Sequence, residues 1–285
     1  MSTNQLVVLS HNQVAPILSA RQAGADTAST SLDLGLTIDE VRLLPDRVVF
    51  PDGRWLPWDD LDEIAGDDSH CFVVEGNAAQ RIQRFSERLN RFYSLMPTDG
   101  APTVLIAGFS MHRIKGTDPW RDTLAKVRTL APIHGRVLDT STGLGYTAIE
   151  AARTAAQVTT IELDPTTLEI ARLNPWSQAL FDDPKIQQIV GDSFEHVPTL
   201  EDRSFSRIIH DPPTFSLAGE LYSGEFYRQL FRVLKPGGRL FHYIGNMESK
   251  TGHGLARGVV RRLKEAGFER IVRRPEAFGL VAYKR

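Results

Sequence analysis

Strand-like and helix-like segments alternate regularly through the second half of this 285-residue chain, from about Gly135 onward. Such alternation is typical of a parallel sheet that is covered by helices on both faces. It therefore constrains this half of the chain to a doubly wound α/β fold. Short apolar runs predict strands at residues 136–139, 158–163, 186–190, 207–210 and 239–244. Amphipathic segments predict helices at residues 146–156, 165–173, 220–234 and 254–266.

The two ends of the chain lack this regular alternation of strands and helices. Residues 269–273 and 278–284 predict two more strands joined by a short turn, so we expect the last strand to run antiparallel. Short β-type runs broken by turn formers fill residues 32–75. At roughly 150 residues per domain, the length suggests about two units. We therefore predict a smaller N-terminal α+β domain over residues 1–118 and a larger α/β domain over residues 119–285.

Residues 77–93 predict an amphipathic helix, with a stripe of arginines beside its apolar face. A row of arginines can follow phosphates, but a solvated face paired with local acids is the more ordinary interpretation. Residues 1–100 contain 8 Lys and Arg against 15 Asp and Glu, whereas residues 231–285 contain 13 against 4. The acidic front argues against a broad nucleic-acid surface, and the basic tail leaves a local one open. The stripe consists of Arg81, Arg84, Arg88 and Arg91.

Composition and motif content exclude several classes of protein. The chain is 41% hydrophobic and 24% charged, as expected for a folded globular protein. Its apolar runs are far shorter than the roughly 18 residues that span a bilayer, and no Lys or Arg precedes Arg21, so we expect neither a membrane span nor a secretory signal. The single cysteine, Cys71, favours a reducing, cytoplasmic location. The eight histidines form no cluster with ligand spacing, and we expect no metal.

The most informative segment runs from Val137 to Ala148: an apolar strand, an acid at its end, a turn of small residues with two glycines, and a helix start. Glycines in such a turn let the backbone approach a ligand at the carboxyl ends of the strands. The segment also satisfies the G-x-G-x-x-A dinucleotide pattern of nicotinamide-dependent oxidoreductases. However, Asp139 directs a carboxylate into the place where a pyrophosphate would lie. A carboxylate suits a ligand that carries an ammonium or sulfonium group.

Two further acids lie at the ends of the next two predicted strands. Glu162 follows Gly143 by 19 residues, where a carboxylate can accept both hydroxyl hydrogens of a ribose. Asp192 ends the third strand, where it can accept from an adenine amino group. Any one of these acids has a simple structural explanation, because Asp commonly caps a helix. Three acids in register at one sheet edge favour a nucleoside-containing ligand.

These residues resemble the class I S-adenosylmethionine-dependent methyltransferases over about residues 119–285. The resemblance implies a Rossmann-like seven-stranded sheet with the last strand antiparallel, S-adenosylmethionine as cofactor and S-adenosylhomocysteine as product. Ser141 stands where the family often has glycine. The chain is also similar to a predicted archaeal-type methyltransferase group with the blocks Gly-Leu-Gly-Tyr-Thr-Ala and His-Asp-Pro-Pro. The resemblance implies that Asp139, Thr140, Ser141, Thr142, Gly143 and Gly145 hold the methionine part, Glu162 the ribose, and Asp192 with Ser193 the adenine. Tyr146 and Leu163 are further implied cofactor residues.

The segment Asp211-Pro212-Pro213 follows the fourth predicted strand and resembles the Asp/Asn-Pro-Pro-aromatic motif of amino-methyltransferases. In that motif the acid or amide and a proline carbonyl accept hydrogen bonds from the target nitrogen. Here Thr214 occupies the aromatic position and Phe215 follows it, so a small or flexible amine is as plausible as a planar ring. One interpretation is that Asp211 orients, and even deprotonates, the nucleophile; the other is that it fixes the loop or contacts the amino group of the cofactor. Further candidates on the acceptor side are His112, Arg113, Lys115 and His210.

The sequence therefore predicts a methyltransferase that acts on a nitrogen of an amine or amide-type acceptor. One alternative is an aminopropyltransferase that uses decarboxylated S-adenosylmethionine, although the Gly-Gly-Gly-Asp-Gly turn expected of that class is absent. Another is a binding protein that keeps the cofactor pocket without turnover. The acceptor remains open among small molecules, proteins and RNA, and neither the atom methylated nor the oligomeric state follows from the sequence.

Overall fold

The computed structural model of the protein describes residues 6–247 and 249–285. Contacts between Cα atoms divide the chain into two compact units, Met1–Trp120 with Thr166–Gln178, and Arg121–Pro165 with Ala179–Arg285. The predicted domain boundary at residues 118 and 119 stays a proposal. Within the described ranges, no helix combines the length and apolarity needed to cross a membrane. The same ranges contain no group of three or more metal-ligating side chains placed to hold an ion.

In the first unit, the described residues before Pro119 form antiparallel sheets and two helices. Helix α1 (His11–Gln22) begins with a capping box between Ser10 and Gln13, and α2 (Trp58–Ala65) buries Trp58. The sheet orders are β1-β6-β7, β2-β3-β4-β5 and β11-β10-β9-β8. The strands are β1 (Val8–Leu9), β2 (Thr27–Thr30), β3 (Asp39–Leu43), β4 (Arg47–Val49), β5 (Trp55–Pro57), β6 (Phe72–Glu75), β7 (Ala78–Arg81), β8 (Gln83–Ser86), β9 (Arg91–Met96), β10 (Thr103–Ile106) and β11 (Phe109–Ser110).

The predicted helix over residues 77–93 is wrong, because this segment forms β7, β8 and the start of β9. Phe85 pairs with Phe92 across the β8–β9 hairpin, and their ring centroids are 5.0 Å apart. Phe85 and Phe92 lie on two different strands, and the length of the turn between them happens to match the spacing of residues on one face of a helix. The arginines consequently do not form one helical stripe. Arg81 instead pairs with Glu63 and Asp67 at 3.1 and 2.9 Å.

From residue 119 onward, strands and helices alternate as predicted. The seven strands form one sheet in the order β14-β13-β12-β15-β16-β18-β17. The five strands from β14 to β16 are parallel, and β18 is antiparallel to both of its neighbours, which confirms the expected mixed sheet. The elements are α3 (Pro119–Arg128), β12 (Arg136–Asp139), α4 (Tyr146–Ala152), β13 (Gln157–Glu162), α5 (Pro165–Arg172), α6 (Gln178–Asp182), β14 (Ile186–Val190), α7 (Ser193–His196), β15 (Phe205–His210), α8 (Gly224–Val233), β16 (Leu234–Tyr243), α9 (Lys250–Glu265), β17 (Arg270–Arg274) and β18 (Gly279–Tyr283).

The strand order reverses between β12 and β15. The chain first adds β13 and β14 on one side of β12, and then crosses to the other side to form β15. Asp139 at the end of β12 pairs in register with Thr160 on β13 and with Ile209 on β15. Helices α8 and α9 pack on the face of the sheet that carries Leu138 and Ile208. In open α/β sheets, ligands bind in the crevice at such a reversal, outside the carboxyl ends of the strands.

Candidate cofactor and acceptor site

Asp139 ends β12 at this reversal, and its side chain is fully buried. The hydroxyl of Thr147 donates to Oδ2 at 2.8 Å, and the backbone N–H of Ser141 approaches Oδ1 at 3.4 Å. Burial raises the pKa of Asp139 to about 7, because the charged form loses its hydration. No cation pairs with this carboxylate in the described part of the chain. Asp139 is therefore a buried carboxylate whose counter-charge the described residues do not supply.

The turn that follows brings the backbone into the crevice. Gly143 and Gly145 have φ angles of 55° and 80°, in the left-handed region that favours glycine. A Cβ on Gly145 would lie 2.7 Å from Cδ2 of Leu180, so the chain passes too close to α6 for a side chain. Thr142 donates its N–H to the carbonyl of Ile161 at 2.9 Å. These contacts fix the turn against β13, and Tyr146 is buried where α4 begins.

Glu162 lies at the end of β13, beside the turn. Its Oε2 accepts from the N–H of Gly143 at 2.8 Å and its Oε1 from the N–H of Asp164 at 3.0 Å. Burial raises the pKa of Glu162 to about 7. The next residue, Leu163, is 36% exposed, and Val190 at the end of β14 is 52% exposed. Two exposed apolar side chains beside a carboxylate form a surface that a flat ring can cover.

Asp192 and Ser193 follow β14 and serve the fold directly. Asp192 caps α7 by accepting from the N–H of Phe194 at 2.8 Å. The hydroxyl of Ser193 donates to the carbonyl of Thr140 at 2.7 Å, which ties this strand end to the end of β12. Helix capping accounts for Asp192 without a ligand, so its contact with adenine stays a prediction.

His210 lies in the core of the sheet rather than on a surface open to an acceptor. Its Nδ1 pairs with the hydroxyl of Thr140 at 2.7 Å and its Nε2 with the carbonyl of Leu221 at 3.0 Å. Burial lowers its pKa to about 3. Because the ring is fully buried and both nitrogens have protein partners, the role on the acceptor side does not fit, and we interpret His210 as structural.

Asp211 and the two prolines form the loop after β15. Asp211 is 20% exposed in its side chain, and its Oδ2 accepts from Nζ of Lys126 at 2.7 Å. The hydroxyl of Tyr222 donates to the carbonyl of Pro213 at 2.9 Å. The carbonyl of Pro212 and Oδ1 of Asp211 accept no hydrogen bond from any described residue. These two acceptors therefore have no partner among the described residues, and Pro212 itself is buried.

The exposed part of the loop carries one aromatic ring. Phe215 is 50% exposed and packs edge-on against Tyr222, with ring centroids 5.5 Å apart. The hydroxyl of Thr214, which occupies the motif's aromatic position, pairs with that of Ser216 at 3.2 Å. Thr214 therefore provides no ring for stacking, and Phe215 is the aromatic side chain that this loop exposes.

Three further candidates lie in the first unit, after β11. His112 pairs through Nδ1 with the hydroxyl of Thr103 at 2.9 Å. Arg113 is half-buried and Lys115 is exposed. Their proposed contact with an acceptor stays a prediction.

Sequence reasoning missed three residues that contact the predicted ones. Thr147 donates to Asp139, Tyr222 donates to Pro213, and Lys126 binds Asp211. The only available signal for Lys126 was its spacing of four residues from Asp122 on an amphipathic helix, which ordinarily indicates a solvated ion pair.

Comparison with known proteins places this geometry in a family. The uncharacterized protein MJ1233 of Methanocaldococcus jannaschii is 45% identical over 260 residues, which cover 89% of this chain and 88% of that protein. The chain belongs to the MJ1233 family. Residues 137–238 also match a family model described as a methyltransferase domain. A polyamine aminopropyltransferase of Aeropyrum pernix is 29% identical to this MJ1233-family chain over 142 residues, about half of each protein.

Solved structures support the same fold for this MJ1233-family chain. Spermidine synthase from Thermotoga maritima aligns with a TM-score of 0.56 at 19% identity, covering 73% of this chain and 75% of that one. A spermidine synthase in complex with the transition-state analogue AdoDATO aligns with a TM-score of 0.58 at 19% identity, covering 73% of this chain and 76% of that one. The chain thus has the Rossmann-like α/β fold that methyltransferases and spermidine synthases share.

Proposed function

We propose that this protein is an S-adenosylmethionine-dependent methyltransferase that acts on a nitrogen of an amine or amide-type acceptor. The observation that carries the proposal is the pair of acceptors at the strand reversal, Oδ1 of Asp211 and the carbonyl of Pro212. One accepting carboxylate and one accepting carbonyl match the two hydrogen bonds that a target nitrogen can donate. The match to a methyltransferase domain over residues 137–238 supports the same class of enzyme.

The residues of the first turn fit the proposed cofactor. Asp139 is buried without a cationic partner among the described residues, and the ammonium of a methionine moiety would supply the missing charge. Glu162 has oxygen lone pairs for ribose hydroxyls, and Leu163 with Val190 offers apolar surface for an adenine ring. The absence of an arginine or lysine from this set disfavours a ligand that presents a pyrophosphate there.

S-adenosylmethionine, when bound, supplies a methyl group on a positively charged sulfur. Asp211 and Pro212 orient the acceptor nitrogen so that its lone pair can form the new N–C bond while the C–S bond breaks and its electrons stay on sulfur. The proton that the nitrogen gives up passes to solvent. Tyr222 holds the loop in place through the carbonyl of Pro213.

Calorimetric titration with S-adenosylhomocysteine tests the cofactor assignment. We expect binding by the wild type, none by Asp139→Asn, and wild-type affinity for Asp26→Asn, an exposed aspartate of the first unit. Absence of heat at millimolar ligand with folded wild-type protein would overturn the assignment.

Transfer of labelled methyl groups into fractionated cell extract, followed by nuclease or protease digestion, then shows whether the acceptor is RNA, protein or a small molecule. Loss of transfer in Asp211→Asn with retained ligand binding is the result expected.

An aminopropyltransferase is the second candidate. The partial match to polyamine aminopropyltransferases and the shared fold with spermidine synthases favour it. Assays with S-adenosylmethionine and with its decarboxylated form, each with polyamine acceptors, separate the two activities. Turnover of only the decarboxylated form would replace our proposal. Binding without any transfer, unchanged by Asp211→Ala, would indicate a non-catalytic cofactor-binding protein.

A further inference from the structure

Lys126 is a buried lysine held between two carboxylates. Its Nζ lies 2.7 Å from Oδ2 of Asp211 and 2.8 Å from Oδ2 of Asp122, and its side chain is 4% exposed. Asp122 precedes it by one turn of α3, and its side chain is fully buried. Nζ also lies 4.5 Å from the ring centroid of Tyr243 on β16. The side chain of Lys126 therefore joins α3 to the loop that carries Asp211.

The charges of this cluster determine whether the carboxyl group of Asp211 is ionised. Burial acts to lower the pKa of Lys126, but Asp211 and Asp122 together raise it above its ordinary value, so the ammonium keeps its proton. Burial raises the pKa of Asp211, and the ion pair with Lys126 opposes that rise. Without Lys126, burial would act on Asp211 unopposed, and a buried carboxylate without a partner takes up a proton.

The other groups around Asp211 do not replace Lys126. Asp139 on β12 and Asp122 on α3 are acidic, and their charges disfavour a second anion nearby. Tyr222 interacts with the charge of Asp211, and burial raises the pKa of its hydroxyl, so it stays neutral. Lys126 is thus the cation that these described contacts provide to Asp211.

We propose that Lys126 is a positioning residue that holds Asp211 as a fixed anion, with Oδ2 engaged and Oδ1 turned to the N–H of the methyl acceptor. This inference rests on the proposed function. It assigns Asp211 the role of orienting the nitrogen rather than removing its proton, because the ammonium of Lys126 makes this buried carboxylate less basic than it would be alone. It also restricts the acceptor to a nitrogen that carries at least one hydrogen.

Carboxyl carbon NMR of selectively labelled protein tests the ionisation of Asp211 directly, with Asp211→Asn to assign the signal. In Lys126→Met the titration midpoint of Asp211 should rise by about one to three pH units. Lys126→Arg should restore most of the wild-type midpoint, and Lys264→Met, on the exposed face of α9, should leave it unchanged. An unchanged midpoint in folded Lys126→Met overturns the proposal. If that variant does not fold, Asp122→Asn should lower the midpoint, and a midpoint that does not fall counts against the inference.

The methyl-transfer assay separates this inference from the proposed function. In Lys126→Met we expect affinity for S-adenosylhomocysteine to stay within about twofold at each pH, while transfer measured at saturating cofactor gains an acid limb that the wild-type protein lacks under the same conditions. Equal pH profiles for the two proteins would refute the role of Lys126. Failure of wild-type protein to bind S-adenosylhomocysteine would refute the proposed function, whereas the NMR titration would still decide whether Lys126 sets the charge of Asp211.

Discussion

The backbone N–H of Gly143 donates a hydrogen bond to Oε2 of Glu162 at 2.8 Å. The carboxylate that we assign to the ribose therefore also holds the turn that begins α4. Its other oxygen accepts from the N–H of Asp164 at 3.0 Å. Each oxygen of an ionised carboxylate can accept a second hydrogen bond, so protein and ligand do not compete for Glu162. The turn and the ribose site share one residue, and a change at Glu162 affects both.

Glu162→Gln should weaken the binding of S-adenosylhomocysteine by about 10- to 100-fold. An amide has only one accepting atom, so one hydrogen bond to a charged group is lost, and such a bond contributes about 1.5–3 kcal/mol. Calorimetric titration measures the loss. Glu169→Gln, which changes an exposed glutamate on α5, should bind as the wild type does. Equal affinity for the two variants would remove Glu162 from the site.

Ligand binding should release protons near neutral pH. Asp139 and Glu162 both have a pKa raised to about 7, and both are proposed to bind the cofactor as carboxylates. Below pH 7 these groups must lose their protons before they bind, so affinity should fall with decreasing pH by up to about tenfold per unit for each group. Titrations at pH 6.5 in buffers of different ionisation enthalpy measure the protons released. A heat that does not depend on the buffer would contradict the assignment.

Gly145→Ala should destabilise the protein and abolish ligand binding. Its φ of 80° is costly for alanine, and the new Cβ would collide with Leu180 at 2.7 Å. Gly53→Ala is the matched control, because Gly53 has a φ of 91° but no atom within 4 Å of the added Cβ. We expect the control to lose about 1–2 kcal/mol of unfolding free energy and Gly145→Ala to lose more. Equal losses in urea unfolding would show that the contact with α6 is unimportant.

The residues that sequence reasoning located lie where local rules suffice. Asp139, Glu162 and Asp192 end consecutive strands, and parallel strands bring their carboxyl ends to one edge, so strand order alone gathers them. The contact between Lys126 and Asp211 joins residues 85 positions apart, and the sequence around either residue does not indicate that they meet. The capping role of Asp192 was foreseen as an alternative, because a short polar residue before a helix carries the same signal in both roles.

The β8–β9 hairpin shows where periodicity misleads. Phe85 and Phe92 are seven residues apart, two helical turns in a helix, yet they face each other across a turn. Because Leu89 lies in that turn, the apolar residues imitate a helical face. The pairing of β9 with β10 favours strands over a helix here. Strand β10 lies outside residues 77–93, so the periodicity of that segment carries no information about this pairing.

Tyr222→Phe should slow methyl transfer without changing affinity for S-adenosylhomocysteine. The hydroxyl donates to the carbonyl of Pro213, and its loss frees the loop that positions Asp211 and Pro212. We expect kcat to fall by about tenfold, as for the loss of a positioning contact, with little effect on folding. Tyr283→Phe, on β18, is the control. A larger effect on ligand affinity than on kcat would place Tyr222 in the cofactor site instead.

In mildly acidic solution, the protons that the buried histidines take up on unfolding should offset those that the buried carboxyl groups release. Burial lowers the pKa of His210 to about 3 and that of His242 well below its ordinary value, so unfolding takes up two protons below about pH 6.5. Asp139 and Glu162 hold two protons in the folded state below about pH 7 and release them on unfolding until the pH approaches their ordinary values. Between about pH 5 and 6.5 the uptake by the histidines and the release by the carboxyl groups nearly cancel, so these four groups should leave the unfolding free energy nearly independent of pH.

Glu162→Gln should make the unfolding free energy depend on pH between about pH 5 and 6.5. With one carboxyl proton removed from the folded state, unfolding takes up one net proton, so the unfolding free energy should fall by about 1.4 kcal/mol for each unit of decreasing pH. Urea unfolding of wild type, Glu162→Gln and Glu169→Gln at intervals between pH 5 and 6.5 measures the three slopes. The control should share the wild-type slope. A slope for Glu162→Gln equal to the wild-type slope would mean that Glu162 is already ionised in the folded protein throughout this range.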